Sequence, residues 1–236
     1  MPIKRPRNII FIPARKGSTR IKKKNLQTID SSTLIEICIK KAINLRNDNS
    51  QIILSTDFSN KELNLNEFLF KNIVIHKRSF QVSQNNSSTE STLKELLEVD
   101  NFKQYKESNG YVLMMQVTSP LVEIESIQKG IDLFLSSPKN STTVFSAYKY
   151  KQFTWVEKGT NFEPISYDPY NRNNTQMMQD YFQETGGFYI FPIKGFLKKL
   201  NRFMDYRTPL IINQIESLDI DEIEDLNTAR KYYKSH

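Results

Sequence analysis

The chain has 236 residues, of which 38% are hydrophobic and 11% aromatic, which is enough for one well-packed α/β domain and excludes a disordered protein. The single cysteine, Cys38, excludes a disulfide framework or a Cys-rich metal site, and two histidines are too few for a His metal cluster. The net charge of +7 is unevenly spread, because residues 216–225 carry six acidic side chains, and this argues against a uniformly basic face for duplex nucleic acid.

The first predicted element is a buried strand over residues 8–13, a β-favouring apolar run that ends in a proline. A basic loop follows: nine of the 33 Lys and Arg residues lie within the first 29 positions, and the first acidic residue is Asp30. Because open α/β sheets bind ligands at the carboxyl ends of their strands, we predict a polyphosphate site here. The loop has neither GxxxxGK[ST] nor GxGxxG, so Arg and Lys side chains would hold the phosphates. A solvated lysine run at 22–24 is the alternative.

The next segments alternate between helical and strand patterns. A helix over 31–45, capped by Asp30 or Ser31, has its apolar residues on one broad face. The alternation continues with strands over 51–57, 72–76, 111–116 and 142–148, helices over 92–99 and 123–135, and a loop over 81–92. This order predicts a three-layer α/β/α domain with a mainly parallel, mixed sheet.

The alternation breaks at residue 149. Residues 149–182 are rich in Tyr, Phe, Asn and Gln and lack a helical period, so we predict a β-rich excursion from the main sheet. A strand, a short helix, a second strand and a closing helix are then predicted, in that order, over 186–191, 192–200, 209–213 and 221–233. We expect a single domain over 1–236.

Two carboxylates near the end of the chain form a candidate metal site. In an extended Ser217–Asp221 segment, the side chains of Asp219 and Asp221 point to the same face and reach a common hard cation. The alternative is structural: Asp221 and Glu224 would form a capping box for the closing helix.

The segment Gln-Val-Thr-Ser-Pro-Leu, residues 116–121, follows a predicted strand directly. A ligand-binding role fits this position at a strand's carboxyl end. A simple turn marked by Ser119 and Pro120 is the alternative.

Three stretches together resemble one family, the acylneuraminate cytidylyltransferases or CMP-sialic acid synthetases, including the related nonulosonic acid cytidylyltransferases. They are IPARKGSTRIKKKNL (12–26), QVTSPL (116–121) and SLDID (217–221). The resemblance implies a Rossmann-like nucleotidyltransferase that uses CTP to activate a sialic-acid-like sugar acid for surface glycan biosynthesis, releasing pyrophosphate. It also implies Mg²⁺ or Mn²⁺ as cofactor, and a homodimer in which residues 149–182 reach the partner's site.

The resemblance also implies roles for individual residues. Arg15 and Lys24 would stabilise the triphosphate and the leaving pyrophosphate, and Asp219 and Asp221 would hold the metal. The nucleotide would contact Ala14, Arg15, Lys24, Asn25, Arg78, and Ser88 or Thr89. The sugar acid would contact Gln116, Thr118, Arg172, Gln176, Thr185 and Gly186.

The sequence departs from the family pattern in the segments that the resemblance assigns to binding of the sugar acid. Val122 stands where the family usually has Arg, Gln183-Glu184 replace an Arg-Pro pair, and Thr185 replaces Asn. These differences favour a related sugar acid over N-acetylneuraminate itself.

Two other functions remain open from the sequence. One is a related nucleotidyltransferase that uses Kdo or another sugar with a different nucleotide. The other is a non-catalytic nucleic-acid-binding protein, which the pI of about 9.3 and the aromatic residues of 148–191 would suit. Because no stretch is apolar for long enough to span a bilayer and no signal-peptide core follows the start, we expect a cytoplasmic protein without a membrane partner. Because of the acidic segment over 216–225, we expect no nucleic-acid partner either.

Overall fold

The computed structural model describes residues 7–84, 86–138, 141–172 and 174–233. Its strands are β1 (Asn8–Ala14), β2 (Thr28–Ile29), β3 (Ser32–Thr33), β4 (Ser50–Thr56), β5 (Val74–Lys77), β6 (Tyr111–Met115), β7 (Thr142–Tyr150), β8 (Trp155–Lys158), β9 (Asn161–Pro164), β10 (Tyr181–Pro192) and β11 (Tyr206–Ile212). Seven of them form one sheet in the order β11-β7-β10-β6-β1-β4-β5. Strand β10 runs antiparallel to β6 and β7, and the other pairings in this sheet are parallel.

Helices cover both faces of the sheet. They are α1 (Leu34–Leu45), α2 (Asn60–Leu63), α3 (Glu67–Lys71), α4 (Phe80–Ser83), α5 (Thr89–Glu98), α6 (Ile124–Ser136), α7 (Ile193–Lys199) and α8 (Ile223–Tyr232). The buried side chains of β1 alternate between two cores: Ile10 and Ile12 pack with α1, α6 and α8, whereas Ile9 and Phe11 pack with α5 and α7. This arrangement confirms the predicted three-layer fold with a mainly parallel, mixed sheet. Within the described ranges, no helix is both long and apolar enough to cross a membrane.

Helix α1 begins three residues later than predicted. Residues 28–33 form the short β2-β3 hairpin instead, with Asp30 at a left-handed φ of 51° in its turn. The helix cap is Thr33, whose side chain accepts the Glu36 N–H while the Glu36 carboxylate accepts the Thr33 N–H. Capping by Asp30 or Ser31 was therefore wrong.

The predicted loop over 81–92 was also wrong. Helix α4 occupies its beginning, and α5 begins at Thr89 with Ser88 as its cap, accepting the Ser91 N–H at 3.0 Å. The first turn of α5 is polar, and the buried residues of the helix, which include Leu93 and Leu96, come later. The hydrophobic pattern therefore begins after the helix does.

The region after β7 leaves the main sheet, as the sequence predicted. Strands β8 and β9 pair as an antiparallel hairpin, and the chain then returns along β10, which is twice as long as the strand predicted over 186–191. The pairing of β10 with β7 shifts register between Glu184 and Tyr189, where Gly186 has a φ of 77°. The irregularity turns the 184–187 backbone toward the end of β6, where the Gln116 N–H donates to the Gly187 carbonyl at 3.1 Å.

Candidate active site

A cleft of about 290 Å³ opens beside the residues that follow β1, β5 and β6. It brings together four distant parts of the chain, which is the position expected of a ligand site in an open α/β sheet. Its lining residues are Pro13, Arg15, Ser18, Thr19, Arg20, Lys24, Asn25, Arg78, Ser87, Ser88, Thr89, Thr92, Gln116, Val117, Thr118 and Asp221.

Most of the residues assigned to the nucleotide from the sequence line this cleft. They are Arg15, Lys24, Asn25, Arg78, Ser88 and Thr89, and they lie with Gln116, Thr118 and Asp221. Ala14 lies apart from the lining, because its side chain is fully buried in β1. The sequence reasoning missed Ser18, Thr19 and Arg20 of the basic loop, Ser87 before α5, and Thr92 within α5. The first three could have been found, because they lie inside the stretch that was already identified.

Four cations line the cleft: Arg15, Lys24 and Arg78, together with Arg20. The Arg15 guanidinium donates to the Gln84 carbonyl at 3.4 Å, and Arg78 Nε donates to the Ser55 carbonyl at 3.1 Å. Burial lowers the pKa of Arg78 to about 10, and the Arg15 charge acts in the same direction. Arg78 is still protonated at neutral pH. An anion between these cations would relieve their mutual repulsion.

The basic loop is held in shape by its own backbone and by Asn25. Lys23 adopts a left-handed φ of 51° just before a 3-10 turn over Lys24–Leu26. The buried Asn25 amide donates to the Arg15 carbonyl at 2.8 Å, and so fixes the two ends of the loop relative to each other. Side-chain cations are therefore presented by a fixed backbone, as the absence of a glycine-rich phosphate loop requires.

Lys24 connects this loop to the end of the chain. Its ammonium group donates to the Ile220 carbonyl at 2.6 Å and to Asp221 Oδ1 at 3.0 Å. Arg20 lies on the other oxygen of Asp221, at 3.4 Å. These cations lower the pKa of Asp221, with the Lys24 hydrogen bond as the largest cause.

Asp219 lies deeper than Asp221. It accepts a hydrogen bond from Ser119 Oγ at 3.2 Å, and burial raises its pKa, with a further contribution from the negative charge of Asp221. Two carboxylates that repel each other fit a shared hard cation. The described residues contain no cluster of three or more His, Cys, Asp and Glu side chains. A Mg²⁺ ion commonly takes one or two carboxylates and completes its shell with water and phosphate oxygens, so the pair is sufficient.

The alternative role for Asp221, a capping box with Glu224 at the start of α8, was wrong. The capping box of α8 is formed by Glu222 and Asp225, and the Asp221 N–H also donates to Asp225 at 2.9 Å. The Asp221 carboxylate takes no part in the cap and faces Lys24 instead.

The residues assigned to the sugar acid are only partly brought together. Gln116 and Thr118 line the cleft, whereas Thr185, Gly186, Arg172 and Gln176 are absent from its lining. Thr185 is buried and its hydroxyl lies 2.8 Å from Ser146 Oγ. Arg172 and Gln176, which belong to the excursion after β7, are exposed.

Each of these two exposed residues has a local contact. The guanidinium of Arg172 lies 4.1 Å above the Phe153 ring, and the Gln176 carbonyl accepts a hydrogen bond from Lys151 at 3.1 Å. Their predicted contact with the sugar acid remains a prediction.

The 118–122 loop is held from behind by Lys41 of α1. The ammonium group of this partly buried side chain donates to the carbonyls of Pro120 and Val122, each at 2.5 Å. Burial lowers its pKa to about 8, and this shift is partly offset by Cys38 and by Glu216. Two further contacts join the loop to the end of the chain: Ser119 donates to Asp219, and the Ile220 N–H donates to the Thr118 carbonyl at 2.8 Å.

Comparisons with known proteins agree on one group of relatives. A family model described as cytidylyltransferase matches residues 9–236. The N-acylneuraminate cytidylyltransferase of Oncorhynchus mykiss is 27% identical over 185 residues, covering 77% of this chain and 40% of that protein. The pseudaminic acid cytidylyltransferase of Campylobacter jejuni is 21% identical over 229 residues, covering 97% of each chain. The chain therefore spans about two fifths of the fish relative's length and nearly all of the bacterial one's.

Solved structures show the same fold. The structure of CMP:2-keto-3-deoxy-manno-octonic acid synthetase complexed with CTP has a TM-score of 0.66 at 16% identity, with 95% of this chain and 97% of that chain covered. A 4-diphosphocytidyl-2C-methyl-D-erythritol synthase has a TM-score of 0.65 at 13% identity, covering 97% and 98%. At these identities the likeness concerns the fold.

Proposed function

The chain belongs to the cytidylyltransferase family, and from this premise we propose that it transfers CMP from CTP to a nonulosonic, sialic-acid-like sugar acid and releases pyrophosphate. The membership agrees with the resemblance drawn from the sequence. The observation that carries the proposal is the single cleft in which Arg15, Lys24 and Arg78 lie with Asp221 and Gln116.

In the proposed reaction, the anomeric hydroxyl of the sugar acid attacks the α-phosphorus of CTP. The new P–O bond forms as the bond to the β-phosphate breaks, the hydroxyl proton leaves to solvent, and pyrophosphate departs with the bonding electrons. Transfer of this kind depends on positioning and on neutralising phosphate charge. Arg15 and Arg78 would bind the triphosphate oxygens, and Lys24 would stabilise charge on the leaving pyrophosphate.

The sugar acid would lie toward the end of β6. Gln116 offers both a donor and an acceptor there, and the Thr118 hydroxyl lies beside it in the cleft lining. Asp219 and Asp221 would hold Mg²⁺, which when bound supplies Lewis-acid stabilisation of phosphate oxygens. This role fits the paired carboxylates and the raised pKa of Asp219.

The sugar acid belongs to the class named in the relatives. The bacterial relative that this chain matches over its whole length acts, by its name, on pseudaminic acid, and the fish relative acts on N-acylneuraminate. Together with the departures at Val122, Gln183, Glu184 and Thr185, this supports a nonulosonic acid other than N-acetylneuraminate. A Kdo-using enzyme is the second candidate, which the sequence left open; a CMP:2-keto-3-deoxy-manno-octonic acid synthetase shares the fold.

A homodimer and a cytoplasmic location are part of the proposal. Large apolar side chains of the excursion are exposed, among them Phe162 at 57% and Met177 at 77%, and an interface between two copies would cover them. Sedimentation velocity at micromolar concentration tests this. A monomer at all concentrations would contradict it.

The function is tested by pyrophosphate release with Mg²⁺, each nucleoside triphosphate in turn, and a panel of N-acetylneuraminate, legionaminate, pseudaminate, Kdn and Kdo. We expect release that requires CTP and one nonulosonic acid. Arg15→Ala should abolish it, whereas the matched control Arg46→Ala should not, because Arg46 lies outside the cleft lining. Folded protein that fails to bind CTP would overturn the proposal. Release with Kdo alone would select the second candidate.

A further inference from the structure

We propose that His76 is a positioning residue for the nucleotide site, acting on Arg78 through the hydroxyl of Ser55; this inference rests on the proposed function. The sequence offered His76 only as an isolated histidine in a strand. In the structure it belongs to a chain of polar groups that begins in the cleft at Arg78 and ends at Glu95 of α5.

The distances along this chain are those of direct contacts. Arg78 Nε lies 3.2 Å from Ser55 Oγ, in addition to its bond to the Ser55 carbonyl. Ser55 Oγ lies 2.9 Å from His76 Nδ1. His76 Nε2 lies 3.5 Å from Glu95 Oε1, longer than an ordinary hydrogen bond. Ser55 is fully buried and His76 is 3% exposed, so neither side chain is solvated.

The donors fix the direction of the hydrogen bonds. Arg78 Nε carries a hydrogen and donates, so Ser55 Oγ accepts on that side. The Ser55 hydroxyl hydrogen then points to His76 Nδ1, which must accept it and be unprotonated. The imidazole hydrogen is therefore on Nε2, facing the Glu95 carboxylate. This assignment satisfies Ser55 and Nδ1 of His76, whereas Nε2 has no partner at hydrogen-bond distance and lies 3.5 Å from Glu95 Oε1.

Glu95 also fixes the backbone that follows Arg78. Its carboxylate accepts the Ser79 N–H at 3.0 Å and a short hydrogen bond from the Ser79 hydroxyl. Helix α5 thus holds the Arg78–Ser79 segment directly, and holds the Arg78 side chain through His76 and Ser55. An arginine with its Nε anchored in this way keeps its two terminal nitrogens directed toward a ligand.

Two simpler readings fail. Glu95, His76 and Ser55 have the order of a hydrolytic triad, but the fully buried Ser55 cannot meet a substrate. Plain packing does not require an imidazole, because its ring contact, with Phe102 edge-on at 6.3 Å, is one that an apolar side chain could also make. What the imidazole adds is an acceptor for the Ser55 hydroxyl.

Burial, more than any neighbouring charge, favours the neutral imidazole of His76. Burial lowers its pKa, and Arg78 lowers it further, while Glu95 of α5 opposes the shift. Asp57 and Arg15 act on Arg78 in opposite directions. Protonation would put a hydrogen on Nδ1, so that His76 and Arg78 would both donate to one hydroxyl. Two positive charges would then share Ser55, and the arginine anchor would weaken.

The test is CTP affinity in the presence of Mg²⁺, measured by titration calorimetry at pH 7.5. His76→Leu removes the acceptor, and we expect the Kd for CTP to rise by up to about tenfold, the upper end of the range for one neutral hydrogen bond. His76→Asn places an amide oxygen near the former Nδ1 and should restore most of the affinity. Ser55→Ala, which leaves the imidazole in place, should match the loss in His76→Leu.

The control is Phe102→Leu, which disturbs the packing around the same imidazole without touching the polar chain. It should lower Tm and leave the Kd unchanged. In an Arg78→Ala background, His76→Leu should have no further effect on the Kd, because its action passes through Arg78. A wild-type Kd in folded His76→Leu, or full additivity with Arg78→Ala, would overturn the inference alone. Wild-type protein without CTP affinity would overturn the proposed function and this inference with it.

Discussion

Lys41→Met removes a cation that the fold holds behind the 118–122 loop, and we expect it to change how stability depends on pH. In the wild type, the ammonium group donates to the carbonyls of Pro120 and Val122, and burial lowers its pKa from 10.5 to about 8. In the unfolded chain the pKa returns to its ordinary value. Between pH 8 and 10.5 the unfolded state therefore binds more protons than the folded state.

The sign and size follow from this difference. Stability rises with pH wherever the unfolded state binds more protons, so the wild type should gain stability as pH rises above 8. With about 1.4 kcal/mol per pKa unit, the gain from pH 7 to 9.5 is at most about 2 kcal/mol, and the partial exposure of the side chain reduces it. The neutral amine keeps two N–H donors for the two carbonyls, so the loop stays anchored.

Urea denaturation at pH 7, 8, 9 and 9.5 measures the effect. The free energy of unfolding of Lys41→Met should lack the rise of about 2 kcal/mol, whereas Lys40→Met, which removes an exposed lysine of the same helix, should keep it. Titrating groups that do not interact with Lys41 cancel in the comparison between variants, whereas Cys38 and Glu216, which do, contribute to the difference. Equal pH dependence in the wild type and Lys41→Met would refute the reasoning.

Four further outcomes are expected. Asp221→Asn should change the free energy of unfolding by less than about 1 kcal/mol, because its ion pair with Lys24 is partly exposed, yet raise the Mg²⁺ concentration needed for half-maximal turnover; unchanged metal dependence would contradict the metal role. A chelator should abolish turnover and excess Mg²⁺ restore it, which a coupled pyrophosphate assay would record. Gly187→Ala should lower stability by about 1–3 kcal/mol in thermal unfolding, since its Cβ would lie 2.8 Å from Val122 Cγ2. The raised pKa of Asp219 should make kcat/KM fall on the acid side with an inflection above 3.8; a profile flat to pH 4 would contradict this.

The fold was predictable wherever hydrophobic periodicity and buried structure coincide. The buried run of β1 and the one-sided apolar face of α1 correspond to elements that pack on the core. The errors in the predicted bounds lie where caps, turns and bulges determine the end of a helix or strand. Helix α5 starts at a serine cap before its first buried residue, and β10 continues through a glycine-rich bulge that looks like a strand start in the sequence.

The candidate site was predictable where its residues form a local pattern in the sequence. The basic loop and the Asp-x-Asp segment are contiguous in the sequence, so their residue types could be read directly. The chain of polar groups that links Arg78 to Glu95 could not be predicted, because it depends on the parallel register of β4 and β5 that places Ser55 beside His76. The pairing of β4 with β5 brings Ser55 and His76 together, and no local sequence pattern predicts it.

The contact between Lys24 and the Ile220–Asp221 segment has a consequence for biosynthesis. Ile220 follows Lys24 by 196 positions, so a ribosome must add those residues before the ammonium group of Lys24 can reach the Ile220 carbonyl. A nascent chain that has already folded β1 and β4 still lacks this contact. Under the proposed function, such a chain would present the nucleotide site without the contacts that position Lys24.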